Sequence, residues 1–408
     1  MIIQLNVSEK RLTVSPIFAA IKKEKLLTRL LFIVFIASLF ACKQKEDSRY
    51  SAVRATGDIS YRKLSTMEKE SYKAAVVHMY DSILGNHGFN GSILVAKNGE
   101  VLLEDYHGYS NPVTKDTLTP FTAFHLASVS KTFTGMAIMK LWEENKLKLD
   151  DSLQVFFPEF PYSGITVRML LSHRSGLPNY VYFMTQNPVW RRRIATNNDM
   201  LQFMIEKKPA LYGYPDQGFH YCNTNFALLA LIVEKVSGQP FPEYIKNTIF
   251  TPLGMTNSFV FSKADSADYH PSFQPNNRPF PLESIDCVYG DKNVYSTVRD
   301  MYLWDQALYN NRVVSQATYQ EATKPYSLER PSIHNYGLGW RLMMLPNSKI
   351  IYHNGWWHGN NTVFTRLVND TATIIILSNK FNRAIYSGMK IGTVFANSKK
   401  TEVEKPLE

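Results

Sequence analysis

Apolar and polar positions along the chain fall into short strand-like runs and longer helix-like ones. Residues 91–104 (GSILVAKNGEVLLE) set two β-rich runs around Lys97-Asn98-Gly99. Asn-Gly between such runs is a strong two-residue turn signal, so the stretch predicts a hairpin. Residues 129–146 predict a helix, with Phe133, Met136, Ala137 and Leu141 at i, i+3, i+4 and i+8. Residues 225–237 (NFALLALIVEKVS) predict another, closed by Gly238 and Pro240, with Leu229, Ile232, Val233 and Val236 as its buried stripe. Thr373–Ser378 (TIIILS) suits a buried strand. Strand signals thus occur on both sides of a mostly helical, loop-rich middle. The order predicts an α/β part from residues 71–146 and 285–395, a helical insert at 147–284 and a polar tail at 396–408.

Ahead of this lies a basic stretch and then Leu30–Ala41 (LLFIVFIASLFA), apolar and uncharged. Twelve residues are too few for a membrane-spanning helix, which needs about 20. A basic stretch followed by a short apolar run is the pattern of an export signal. The run ends Leu39-Phe40-Ala41-Cys42, which resembles the lipobox of bacterial lipoproteins, with a larger residue than usual at Phe40. The alternative is a cleaved signal with an incidental cysteine. The resemblance implies a signal at 1–41, lipidation of Cys42, a tether at 42–70 and contact with a membrane through the lipid. It implies the bacterial cell envelope, on the periplasmic or outer-surface side.

Charge adds less than it promises. The 408 residues carry 45 Lys+Arg and 35 Asp+Glu, for +10. Of this, +4 belongs to residues 1–41. The remainder has one dense basic run, Arg191-Arg192-Arg193, which reads as a solvated turn. No nucleic-acid partner is expected. An apolar fraction of 45% and an aromatic fraction of 13% argue against disorder. Three cysteines exclude a disulfide scaffold and a four-cysteine zinc module. The sequence contains no HExxH, CxxC or Gly-rich phosphate loop, and its ten histidines lack metal-ligand spacing, so neither cofactor nor metal is expected.

One constellation carries chemistry. Ser128-Val129-Ser130-Lys131 opens the first predicted helix. Ser(i) and Lys(i+3) share a helix face there, so the amine can reach the hydroxyl. A serine hydroxyl needs a base to become a nucleophile, and a desolvated lysine can serve. The helix start also offers backbone N–H groups for an oxyanion. Alone the pattern is weak, since it recurs at Ser60–Lys63 and Ser387–Lys390. Tyr-x-Asn occurs four times, at Tyr109, Tyr221, Tyr309 and Tyr352, while His353-Asn354-Gly355 is the single His-x-Gly.

Order and context select among these. Ser128–Lys131, Tyr221-Cys222-Asn223 and His353-Asn354-Gly355 resemble the S-x-x-K, Y-x-N and K/H-x-G motifs of the serine β-lactamase and penicillin-binding protein superfamily, in its class C-like branch. Phe124–Phe133 (FHLASVSKTF), Ile165–Pro178 (ITVRMLLSHRSGLP), Phe250–Met255 (FTPLGM), Tyr295-Ser296-Thr297 with Asp300, and Tyr336–Trp340 (YGLGW) resemble the family's text in the same order. The resemblance spans about residues 75–385. It implies an α+β fold, an antiparallel sheet flanked by helices with a helical insert. It implies a hydrolase acting through an acyl-enzyme on a small-molecule or peptide substrate. Ser128 is then the nucleophile, Lys131 takes its proton or tunes the site, and Tyr221 is a base or proton donor helped by neighbouring cations. Asn223 binds the substrate amide or positions Lys131. The N–H groups of Ser128 and Trp356 form the oxyanion hole, and Gly355 permits close approach. His353 lines the substrate site.

Where β-lactamases carry Lys in the third motif this chain has His353, which attracts a substrate carboxylate less strongly. That favours an esterase or peptidase over strong penicillin hydrolysis. No deacylating glutamate motif of the class A type is seen, so deacylation falls to Tyr221 and Lys131. Tyr180, Tyr182, Phe183, Trp356 and Trp357 form either an apolar wall for the substrate or ordinary packing. His173 supports a loop, and Cys222 packs as a small buried residue, with nothing to support a bond to Cys287. The second reading is a non-catalytic envelope lipoprotein that binds peptidoglycan peptides. The motifs select neither among β-lactam, D-amino-acid peptide and ester nor an oligomeric state, because fold and triad are shared across chemistries.

Overall fold

A computed structural model describes residues 61–396 apart from 86, 191 and 192. Cys42 and the apolar run before it lie outside the described residues. Ser65 caps helix α1 (Thr66–Tyr80): its hydroxyl accepts from the Glu68 N–H, and the Glu68 carboxylate accepts from the Ser65 N–H. The helix therefore begins inside the stretch expected as a tether. A Ser-x-x-Glu box is a helix start that polarity alone passes over.

The hairpin forms where the Asn-Gly turn places it. Strands β1 (Gly91–Lys97) and β2 (Glu100–His107) are joined by Asn98 and Gly99, both left-handed at φ 49° and 72°. That backbone matches the right-handed twist of the flanking strands. Five further strands follow late in the chain: β3 (His334–Tyr336), β4 (Arg341–Leu345), β5 (Ser348–Trp357), β6 (Asn360–Leu367) and β7 (Ala372–Ser378). They complete a seven-stranded sheet in the order β2-β1-β7-β6-β5-β4-β3. Every neighbouring pair is antiparallel.

Strands β1, β6 and β7 are buried at every position, so the middle of the sheet is covered on both faces. On one face α1 and the 3-10 stretch Arg383–Val394 pack Val76, Tyr80, Ile385 and Ile391 against Ile93, Val363 and Ile376. The look-alike Ser387–Lys390 motif belongs to that stretch. The other face holds α2 (Ser130–Glu143), and the segment 147–284 supplies α3 (Val167–Leu171), α4 (Tyr180–Thr185), α5 (Asn197–Lys207) and α6 (Asn223–Ser237). Helix α7 (Val298–Tyr309) packs on β7 and β1.

Helix α6 departs from its expected single stripe. Every residue from Thr224 to Val233 is buried, because α2, α3, α4 and α5 all pack around it. An all-round apolar helix is one enclosed on every side. A small sheet of Phe124–His125, Val294–Ser296 and Phe259–Val260, with Val294–Ser296 in the centre, ties the approach to α2 to the 259–296 region.

Candidate active site

Ser128 stands in the 3-10 turn Ala127–Val129 that leads into α2, one turn ahead of the helix itself. The preceding Ala127 has a left-handed backbone at φ 48°, uncommon for a residue with a Cβ. Its N–H donates to His125 Nδ1 at 3.1 Å. The His125 hydrogen is therefore on Nε2, which donates to Asn293 Oδ1 at 3.0 Å. Burial pushes the His125 ring down to about 4, so it stays neutral in this role.

The turn also rests on β5. A Cβ on Gly355 would lie 2.4 Å from the Leu126 carbonyl oxygen and 2.3 Å from Thr362 Oγ1, so only glycine lets the strand come this close. Strand β5 pairs with β4 only from Ser348 to Tyr352, whereas its pairing with β6 runs on to Trp357. Beyond Tyr352, β5 has no pairing with β4, and the Ser128 turn sits over the face where Gly355 and Thr362 lie side by side.

Lys131, on α2, is wholly buried. Its Nζ lies 3.1 Å from Ser128 Oγ, 2.9 Å from Asn223 Oδ1 and 2.7 Å from the Asp291 main-chain oxygen. Ser128 itself is only half-buried. Asn223 is the first residue of α6, so two helices and the 291 loop meet on one amine. As an ammonium, Lys131 can donate to all three oxygens. As a neutral amine, it can donate to the two carbonyl oxygens and turn its lone pair to the Ser128 hydroxyl.

Tyr221 precedes α6 by two residues and is half-buried. Two cations flank its ring: Lys131 Nζ at 5.0 Å and the Arg341 guanidinium at 5.2 Å from the ring centre. Arg341, the first residue of β4, was not among the residues singled out from the sequence. Its only local signal is that it follows the YGLGW text. The His173 ring lies 4.3 Å from Tyr221 and 4.8 Å from Tyr336. His173 Nδ1 accepts from the Cys222 N–H at 3.1 Å, and burial holds the ring well below the usual histidine range.

His353 differs from a residue presented to substrate. It is wholly buried. Its Nδ1 donates to the Asn354 carbonyl at 2.8 Å and its Nε2 accepts from the Tyr336 hydroxyl at 3.1 Å. Burial and the nearby Arg341 and Lys131 keep it uncharged. Both ring nitrogens are thus used inside the protein.

The five aromatic residues that could form an apolar wall separate, with Tyr182 exposed. Tyr180 is buried and hydrogen-bonded, Phe183 stacks on Phe203 at 5.3 Å, and Trp357 Nε1 donates to Asp286 at 2.9 Å. Trp356 is exposed, but it points with Asn354 to the opposite face of β5, where its ring lies 5.9 Å from Phe381. Cys222 and Cys287 are both buried and free. Burial pushes both thiols up to about 11, which leaves them inert.

The family model described as Beta-lactamase matches residues 79–388 of this chain. The chain belongs to that family. Penicillin-binding protein 4* of Bacillus subtilis is 33% identical over 330 residues, covering 76% of this chain and 73% of that protein. A penicillin-binding protein from Bacillus halodurans superposes with a TM-score of 0.66 at 24% identity, covering 78% of this chain and 97% of that one. D-amino acid amidase from Ochrobactrum anthropi, solved with D-phenylalanine, superposes at 0.65 with 21% identity, covering 81% and 99%. The last two likenesses concern the fold, a mixed α/β architecture with an antiparallel sheet. The family lies within the serine hydrolase superfamily of β-lactamases and penicillin-binding proteins.

Proposed function

We propose that the protein is a serine hydrolase working through an acyl-enzyme on an amide, peptide or ester. The observation that carries this reading is the 3.1 Å approach of Lys131 Nζ to Ser128 Oγ, with the amine's other contacts going to Asn223 Oδ1 and a main-chain carbonyl. With Lys131 neutral, its lone pair takes the Ser128 proton as Oγ attacks the substrate carbonyl. The N–H groups of Ser128 and Trp356 receive the developing oxyanion. Tyr221 gives a proton to the departing nitrogen or oxygen, and the flanking Lys131 and Arg341 stabilise the phenolate left behind. Water then attacks the ester, its proton passes to the Tyr221–Lys131 pair, and Ser128 recovers its own.

The uncharged His353 supports an amide, peptide or ester over strong β-lactam hydrolysis, because the third motif supplies no cation for a substrate carboxylate. A fluorophosphonate probe tests the core of the reading. Wild-type protein is expected to label covalently at Ser128, and Ser128→Ala to remain unlabelled while folded. Equal labelling of the two, or none on folded wild type, would leave the non-catalytic peptide-binding lipoprotein in its place.

A further inference from the structure

Two of the three oxygens around the Lys131 amine belong to segments far from it in sequence: Asn223 at the start of α6, and the main chain of Asp291. Both segments are held by one buried polar unit. Tyr180, the first residue of α4, has its hydroxyl 3.1 and 3.0 Å from the two carboxylate oxygens of Asp291. Lys292 Nζ donates to that same hydroxyl and to the Val288 carbonyl, the latter at 3.0 Å. It lies 3.8 Å from Asp291 Oδ1 and 4.8 Å from the centre of the Trp357 ring on β5. The Tyr180 N–H donates to Thr224 Oγ1 at 2.7 Å, next in the chain to Asn223.

Tyr180, Asp291 and Lys292 are 0%, 1% and 2% exposed. Ionic groups so deeply buried stabilise a fold poorly, since apolar residues of similar volume often serve as well or better. What a satisfied network of this kind does supply is one fixed geometry. Here the geometry ends on the two acceptors that orient Lys131.

We propose that Tyr180, Asp291 and Lys292 are positioning residues for Lys131. They fix the Asp291 carbonyl and the entry to α6 so that the amine faces Ser128. They reach the amine through the main chain and through Thr224–Asn223 rather than by touching substrate. The inference rests on the serine hydrolase reading. Burial raises the Tyr180 hydroxyl well above the usual tyrosine range, which keeps it a donor to Asp291. Burial lowers the Lys292 ammonium, against the pull of Asp291 and Asp286 and together with the repulsion of Lys131, while Cys287 also faces it.

Tyr180→Phe removes the bridging hydroxyl and keeps the ring. The fluorophosphonate labelling rate at Ser128 is measured from about pH 5 to 10, beside the melting temperature. A displaced base costs about 10- to 100-fold. We expect that loss at neutral pH, together with a shifted midpoint of the pH profile, at a melting temperature close to wild type. An unchanged rate and midpoint would overturn the proposal. Asp291→Asn with Lys292→Met removes both charges together and should act in the same direction. If neither variant folds, the unit is a stability element and the proposal fails. Wild type that does not label at Ser128 overturns the hydrolase reading itself, a result distinct from a wild type that labels and a Tyr180→Phe that labels equally well.

Discussion

Arg366 and Lys131 are both basic side chains without solvent exposure, yet their surroundings differ in kind. Arg366 on β6 donates through Nε to Asp305 Oδ1 at 2.6 Å, donates to the Tyr319 hydroxyl, and lies 4.2 Å from the centre of the Tyr309 ring. Asp305 accepts in turn from Thr373 at 2.7 Å. The pair clamps α7 to β6 and β7. Lys131, among the described residues, donates only to uncharged oxygens. A guanidinium facing a carboxylate has no proton to give up at ordinary pH. The two are equally buried, and what separates them is the charge of their partners.

Replacing each cation by a similar apolar chain should separate the two roles. Lys131→Met is expected to lower acylation of Ser128 by about 10³-fold or more while the protein stays folded. Arg366→Met leaves Asp305 buried and unpaired, at a cost of about 3–5 kcal/mol in denaturant unfolding, with normal labelling per folded molecule. Proportional loss of stability and labelling in both variants would erase the contrast.

Acid sharpens it in a second way. His125 is held at about 4 against its ordinary value of 6.5, and burial also lowers His173 and His353. As pH falls through about 6.5, the unfolded chain takes up protons that the fold refuses, so stability declines from there toward about pH 4 and is level above it. His125 alone should remove about 2 kcal/mol by pH 5. Urea unfolding at pH 7.5 and at pH 5 measures this, and equal stabilities would mean that these rings accept protons within the fold. The smallest effect concerns the second cation on Tyr221. Arg341→Met should slow turnover of an ester substrate about 10-fold, with a changed pH profile. A variant with wild-type kinetics would leave Lys131 as the sole cation acting on that ring.

Much of this was legible along the chain. Asn98-Gly99 specified the hairpin turn, and the apolar run at 373–378 became the fully buried β7. These signals are local. The contacts around Lys131 are not, since they join residues 92 and 160 positions apart. Periodicity reports a face of one helix and is silent about what meets that face. Arg341 and Asp291 were missed for this reason, and Tyr180 was read only as a wall or packing residue. Alternation along β5, which sends Gly355 to the Ser128 turn, sends the Trp356 ring the other way.

The pairing of β1 with β7 sets Gly91 opposite Ser378, so the middle of the sheet joins the first described strand to the last. Closing so long a loop costs chain entropy before any contact repays it, and such pairings form slowly. Until β7 arrives, β1 and β6 each present a bare edge. The β5 strand that backs the Ser128 turn is itself made late. A chain still under synthesis thus carries Ser128 and Lys131 before the strand that backs their turn is in place.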